Sequence, residues 1–220
     1  MRQAGGMVVD GRQPRVTVAA AQARLAELLR GADGRVILGL TGAPGAGKST
    51  LAARLVASHS GAVLVGMDAF HLAHETLVGL GTVARKGAPD TFDADGYVAL
   101  LRRVRAGEPR TIWVPEFRRE IEDSIAGVRG LAPDVRLVVT EGNYLLLDDE
   151  RWSPVRELCD EIWYVEVAEA TRLDRLVARH VRFGRSREEA YERSVSGTDA
   201  ANARLIEATR GCAVVVVVAD

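Results

Sequence analysis

The chain has 220 residues, 47% hydrophobic and 27% charged, and its 29 basic and 30 acidic side chains leave a net charge of −1. That length suffices for one packed α/β domain, and the near-neutral balance argues against a nucleic-acid-binding role, which wants a strongly basic face. No apolar run approaches the roughly 18 residues of a membrane-spanning helix, and Cys159 and Cys212 stand far apart without the spacing of a zinc site.

The opening segment, MRQAGGMVVDGRQ, lacks the apolar core of a signal peptide, so a cytoplasmic protein is expected. Residues 18–30 are rich in alanine and leucine and read as a helix that Gly31 ends. An apolar strand follows at 36–41, then a glycine-rich loop, a helix over 49–58 and a second strand at 62–67. Residues 68–93 carry Gly79, Gly81, Gly87 and Pro89 and read as loop. Tyr97, Leu100, Leu101 and Val104 recur at helical spacing, and Gly107 closes that helix.

Residues 107–133 hold three prolines among dense charge and read as a second irregular stretch. Long irregular stretches in a compact domain tend to be functional, so these two are where a substrate is expected. A strand at 135–140 precedes Ser153-Pro154, which reads as an N-cap with proline at the first helical position. A strand at 162–167 and an amphipathic helix at 169–182 come next. Ser186 and Glu189 form a capping box, Asp199 is expected to cap a helix over 200–210, and 213–219 is a last strand.

Five continuous apolar strands alternating with helices predict a parallel sheet buried on both faces, in one domain over 1–220. The loop Gly42-Ala43-Pro44-Gly45-Ala46-Gly47-Lys48-Ser49, followed by Thr50, satisfies G-x-x-x-x-G-K-[ST] between a strand and a helix. Its backbone N–H groups would cradle phosphate oxygens, aided by the positive end of the helix. Only two of the 29 basic residues are lysines, Lys48 and Lys86. The loop has room for a compact ammonium on a flexible stem where a planar guanidinium would not fit. Lys48 is expected on the β- and γ-phosphates, and Ser49 on Mg²⁺.

Asp68 and Glu141 each follow a strand end, where ligands of open α/β sheets collect. Either could be a Mg²⁺ partner or a base, and either could equally be a helix cap. His71 reads as a substrate contact or as a polar loop residue. Lys86 leans towards binding a substrate anion. Phe92, Phe117, Tyr144 and Trp113 could wall an acceptor pocket, or be core. Arg172, Arg175, Arg179 and Arg182 share one helix face. They form either a solvated charged face or, with Phe183-Gly184-Arg185 as a flexible junction, a lid.

Together, GAPGAGKST, GMDAFH, RKGAPDTFD, PEFRREIED, TEGNYLLLD and TRLDRLVARHVRFGR resemble the superfamily of uridine kinase, phosphoribulokinase and pantothenate kinase. The nearest likeness is to its bacterial nucleoside/nucleotide kinase-like, or sugar-kinase-like, group. The resemblance implies a P-loop NTPase three-layer fold with a central five-stranded parallel sheet and a helical lid at about 172–198. It implies transfer of the ATP γ-phosphoryl group, with Mg²⁺, to a hydroxyl of a nucleoside-, sugar- or pantothenate-like metabolite.

By that likeness Asp68 contacts the acceptor hydroxyl as its base, and Glu141 lies near Mg²⁺. Arg172, Arg175 and Arg179 fall on the arginine pattern of the helix leading into the lid, with Arg179 facing the phosphates. The acceptor side would come from His71, Arg85, Lys86, Phe92, Asp93, the 115–123 segment with Phe117 and Arg118, and Asn143 with Tyr144. The last segments differ from those of uridine kinases, which leaves the acceptor unnamed. A nucleoside monophosphate kinase holding the acceptor phosphate on Arg85, Arg118 and Arg119, and an ATP-dependent switch or assembly protein, are the alternatives. A small-molecule partner is expected, with no nucleic acid and no membrane; a homodimer is left open.

Overall fold

A computed structural model describes residues 13–219, so residues 1–12 of the opening segment lie outside it. In chain order it begins with β1 (Arg15–Thr17), α1 (Val18–Gly31), β2 (Val36–Thr41), α2 (Lys48–Ala57) and β3 (Val63–Gly66). A 3₁₀ turn (Met67–Phe70) leads to α3 (His74–Gly79), α4 (Ala94–Ala106), β4 (Ile112–Arg118), β5 (Asp123–Leu131) and β6 (Leu137–Glu141). The rest is α5 (Pro154–Leu158), β7 (Glu161–Glu166), α6 (Glu169–Arg182), α7 (Arg187–Val195), α8 (Thr198–Glu207) and β8 (Val215–Val218).

Six strands form one parallel sheet in the order β1-β8-β7-β2-β6-β3. The five predicted strands are its body. The sixth, β1, is a three-residue edge strand pairing Arg15 to Val216, too short to leave a pattern in sequence. Alternate residues of the sheet feed two cores. Val36, Leu38, Leu40, Trp163 and Val165 pack with Leu25 of α1 and Leu51 and Leu55 of α2. Ile37, Val138, Tyr164 and Val216 pack on the opposite side with Tyr97 and Leu101 of α4 and with Trp152. Helices thus cover both faces, the three-layer arrangement the sequence predicts.

Residues 107–133 are not irregular: β4 and β5 make an antiparallel hairpin. Pro115 falls where the pairing register shifts between Val114 and Glu116, a bulge that needs no proline N–H. Ile112, Val114 and Leu131 are each about 1% exposed and join the α4 core, whereas Trp113 between them is 62% exposed. Residues 68–93 are short helical turns rather than open loop.

Helix ends follow the sequence unevenly. α6 and the Ser186–Glu189 capping box form as expected. Ser153 makes no cap, because its own backbone is helical (φ −54°, ψ −32°), and Pro154 alone marks that start. Asp199 does not cap α8: Gly197 holds that position, and the Asp199 carboxylate accepts from His180 at 2.7 Å. No helix among the described residues is long and apolar enough to cross a membrane.

Candidate active site

The site is built at the carboxyl ends of β2, β6 and β3. From Thr41 the chain enters the loop with Gly42, Gly45 and Gly47 at φ of 147°, 86° and 94°, values that disfavour any side chain. Space forbids one too. A Cβ on Gly42 would lie 2.4 Å from the Val165 carbonyl oxygen, and one on Gly45 2.6 Å from that of Arg172. The loop is therefore wedged between the end of β7 and α6. α2 starts at Lys48 with no side-chain cap, so its first N–H groups are available to an anion.

Lys48 is only 7% exposed and donates to the carbonyls of Gly42 (2.8 Å) and Ala43 (3.2 Å). Burial pushes its ammonium down to about 8, against the pull of Glu141 and Asp68. Glu141, at the end of β6, is 9% exposed; burial and the neighbouring Asp68 charge push its carboxyl up, opposed by Lys48 and the Ser49 hydroxyl. Asp68 behaves oppositely. Burial alone would raise it, but His71, Arg119, Lys48 and Arg179 outweigh that and hold it below the usual carboxylate range. Burial also lowers His71, against the pull of Asp68. One acid ionises readily and its neighbour reluctantly, a division common where acids do different work.

Ser49, Asp68 and Glu141 line one cavity of about 290 Å³ with Leu64, Pro115, Phe117, Arg119 and Arg129. The hairpin forms its outer wall. Arg119, in the β4–β5 turn, donates to Asp68 Oδ2 at 3.1 Å. His71 donates Nδ1–H to the Asp68 carbonyl (2.8 Å), its ring 4.0 Å from that of Phe92 and 5.0 Å from that of Phe117. Lys86 lies 5.5 Å from the Phe117 centroid and donates to the Glu122 carbonyl at 2.7 Å.

The α6 arginines separate by role. Arg172 is buried, bidentate to Glu169 at 2.7 Å for each bond and donating to the Pro44 carbonyl at 2.9 Å, so it clamps the loop from behind. Arg175 lies beside Gly47, an Nη atom 3.6 Å from where a Cβ would be. Arg179 faces the centre: burial and Arg119 lower its guanidinium, while Asp68, Asp199 and Glu141 raise it. It makes no ion pair among the described residues.

Other sequence candidates stay off the cavity wall. Phe92 (3% exposed) and Tyr144 (0%) pack on Trp152 in the core. Arg118 pairs with Glu116 at 3.2 Å, and Arg85 pairs with Asp90 on the surface. Asn143 uses its carbonyl to accept from the Thr41 hydroxyl at 3.0 Å.

Sequence reasoning missed Arg129, which joins Glu116 of the 115–123 segment at 2.8 Å in the cavity wall. It also passed over a larger cavity of about 640 Å³ behind the loop, bounded by Ala43, Ala46, Tyr164, Val167, Arg204 and Glu207. A strand register for the hairpin would have exposed the first; the second has no local signal.

No family model matches the chain. A Schizosaccharomyces pombe protein named "Putative uridine kinase C227.14" is 34% identical over 183 residues, 78% of this chain and 77% of that one. An Aspergillus versicolor "ATP-dependent kinase-like protein notR'" is 36% identical over 126 residues, 54% of this chain and 73% of its own length. The crystal structure of a "putative fructose transport system kinase" from Silicibacter sp. TM1040 superposes with a TM-score of 0.82 at 37% identity, covering 91% of this chain and 98% of that one.

Proposed function

The chain belongs to the uridine kinase family of P-loop kinases, and from that premise we propose that it transfers the ATP γ-phosphoryl group to a hydroxyl of a small metabolite. The acceptor, nucleoside-, sugar- or pantothenate-like, would occupy the 290 Å³ cavity under the hairpin. One observation carries this reading: Asp68 and Glu141, from two different strand ends, share that cavity with Ser49 of the phosphate loop.

Phosphoryl transfer asks for in-line placement and for positive charge on the equatorial oxygens. Lys48, the loop amides and Arg179 would hold the triphosphate. Asp68, held ionised by its surroundings, would accept a hydrogen bond from the acceptor hydroxyl and take its proton as the new P–O bond forms. In a loose transition state that proton moves late, so aiming the hydroxyl matters more than basicity.

Ser49 and Glu141 offer a hydroxyl and a carboxylate, hard oxygen donors suited to Mg²⁺. Bound there, Mg²⁺ would offset charge on the β- and γ-phosphates. The 640 Å³ cavity on the other side of the loop would take the base and ribose.

A nucleoside monophosphate acceptor is the second reading, favoured by Arg119 and Arg129 in the cavity wall. The test is transfer of label from γ-labelled ATP to a panel of nucleosides, sugars, pantothenate and nucleoside monophosphates. Labelled product from a hydroxyl acceptor is the expected result. Label moving only onto monophosphates would favour the second reading, and label reaching no acceptor, together with nucleotide-dependent capture of a protein, would favour a switch.

A further inference from the structure

Arg119 stands where an acceptor hydroxyl would have to arrive, and that contact is unlike the others in the site. Its partner Asp68 is 32% exposed and Arg119 itself 37%, so the pair is open to solvent and to an entering ligand. An ion pair about one third exposed can exchange partners with an entering ligand. Arg119 is also not anchored by a strand. It opens the turn between β4 and β5, and at the far end of that turn Glu122 adopts φ +51°, a left-handed conformation uncommon for a residue with a side chain.

Lys86 holds that end, its ammonium 2.7 Å from the Glu122 carbonyl and 3.6 Å from the carboxylate. Arg119 and Lys86 lie 5.7 Å and 5.5 Å from the centroid of the same ring, Phe117. The turn is thus pinned at two points, to Asp68 on the cavity wall and to Lys86 of the 83–91 loop.

We propose that the Arg119–Asp68 ion pair is a placeholder for the acceptor, which occupies the carboxylate until a substrate hydroxyl displaces it and so limits wasteful hydrolysis of ATP. The inference rests on the reading above that Asp68 aims the acceptor. The reaction it restrains is attack of a water oxygen on the γ-phosphorus. The bond from that phosphorus to the bridging oxygen of ADP breaks, ADP and inorganic phosphate leave, and the water proton passes to Asp68. A carboxylate oxygen held by Arg119 is turned toward the hairpin and is a poorer acceptor for that proton. When a substrate hydroxyl takes Asp68, Arg119 is released and the transfer proceeds to the substrate instead.

Arg119 is therefore a positioning residue, and the test must separate this role from a structural one. ADP release without any acceptor and MgATP affinity are measured side by side for the wild type, Arg119→Ala, Arg119→Lys and the double variant Arg119→Ala/Asp68→Asn. Removal of one charge-assisted contact is expected to raise acceptor-free hydrolysis roughly ten-fold in Arg119→Ala with ATP affinity unchanged. Arg119→Lys should return most of the way to wild type, and the double variant should lose the increase.

Hydrolysis in Arg119→Ala at or below the wild-type rate would overturn the proposal, as would an increase that survives Asp68→Asn. Should Arg119→Ala not fold, Lys86→Met loosens the other end of the same turn and must shift acceptor-free hydrolysis upward by a smaller factor. A wild-type protein that binds no MgATP sinks the kinase reading itself, and shows this in the affinity measurement alone.

Discussion

Lys48 shows how far one residue can be read from its neighbours. A lysine between Gly47 and Ser49, in a chain that otherwise uses arginine, is a local signal, and so are acids directly after two strands. The structure gathers all of these at one edge of the sheet because parallel strands put their carboxyl ends together. Arg119 was harder. Consecutive residues leave a strand on opposite sides, so choosing between Arg118 and Arg119 needs the register of a hairpin that three prolines and dense charge disguise.

The Lys48 environment has a consequence for pH. Burial brings its ammonium down to about 8, and triphosphate oxygens beside it would draw it up again. Nucleotide binding should therefore take up a proton near that pH, and affinity should fall as pH rises through it. Titration calorimetry in buffers of different ionisation heat measures both. The unfolded lysine keeps its proton to about 10.5, so without nucleotide the stability of the fold should rise between roughly 8 and 10.5.

At the scale of elements, α6 and its apolar stripe were legible from periodicity, and so was the capping box that starts α7. Periodicity gave no means of dividing the labour among the helix's arginines, since all of them share one face. Their surroundings do. Arg172→Ala leaves the buried Pro44 carbonyl without its donor, which costs about 1–3 kcal/mol; the exposed Glu169 turns to water. Thermal denaturation should show a midpoint lower by roughly 2–4 °C per kcal/mol. Arg179→Ala removes a half-buried cation that has no ion-pair partner among the described residues. Its midpoint should hold or rise, while transfer falls roughly 10²–10³-fold, as for other groups that stabilise transition-state charge. Equal losses of stability in the two variants would show that both are structural.

The whole molecule joins the two irregular stretches that the sequence could only mark as places for a substrate. Loop 83–91 is gripped from above: Arg193 of α7 donates to the Lys86 carbonyl at 2.9 Å and Asn202 of α8 to that of Gly87 at 2.9 Å. Asp199 ties α8 to α6 through His180, its carboxyl held low because His180 and Arg193 outweigh the effect of burial. The grip on loop 83–91 was not legible beforehand, since its two contacts span more than a hundred residues of chain.

Ser49 after the phosphate loop, the two strand-end acids and the hairpin line one cavity, and the account stands on Asp68 presenting an acceptor there. The direct measurement is steady-state transfer from ATP to an acceptor by Asp68→Asn, alongside its ATP affinity. The account predicts turnover lower by roughly 10²–10⁴ with affinity for ATP nearly unchanged. Transfer at the wild-type rate in that variant would contradict it.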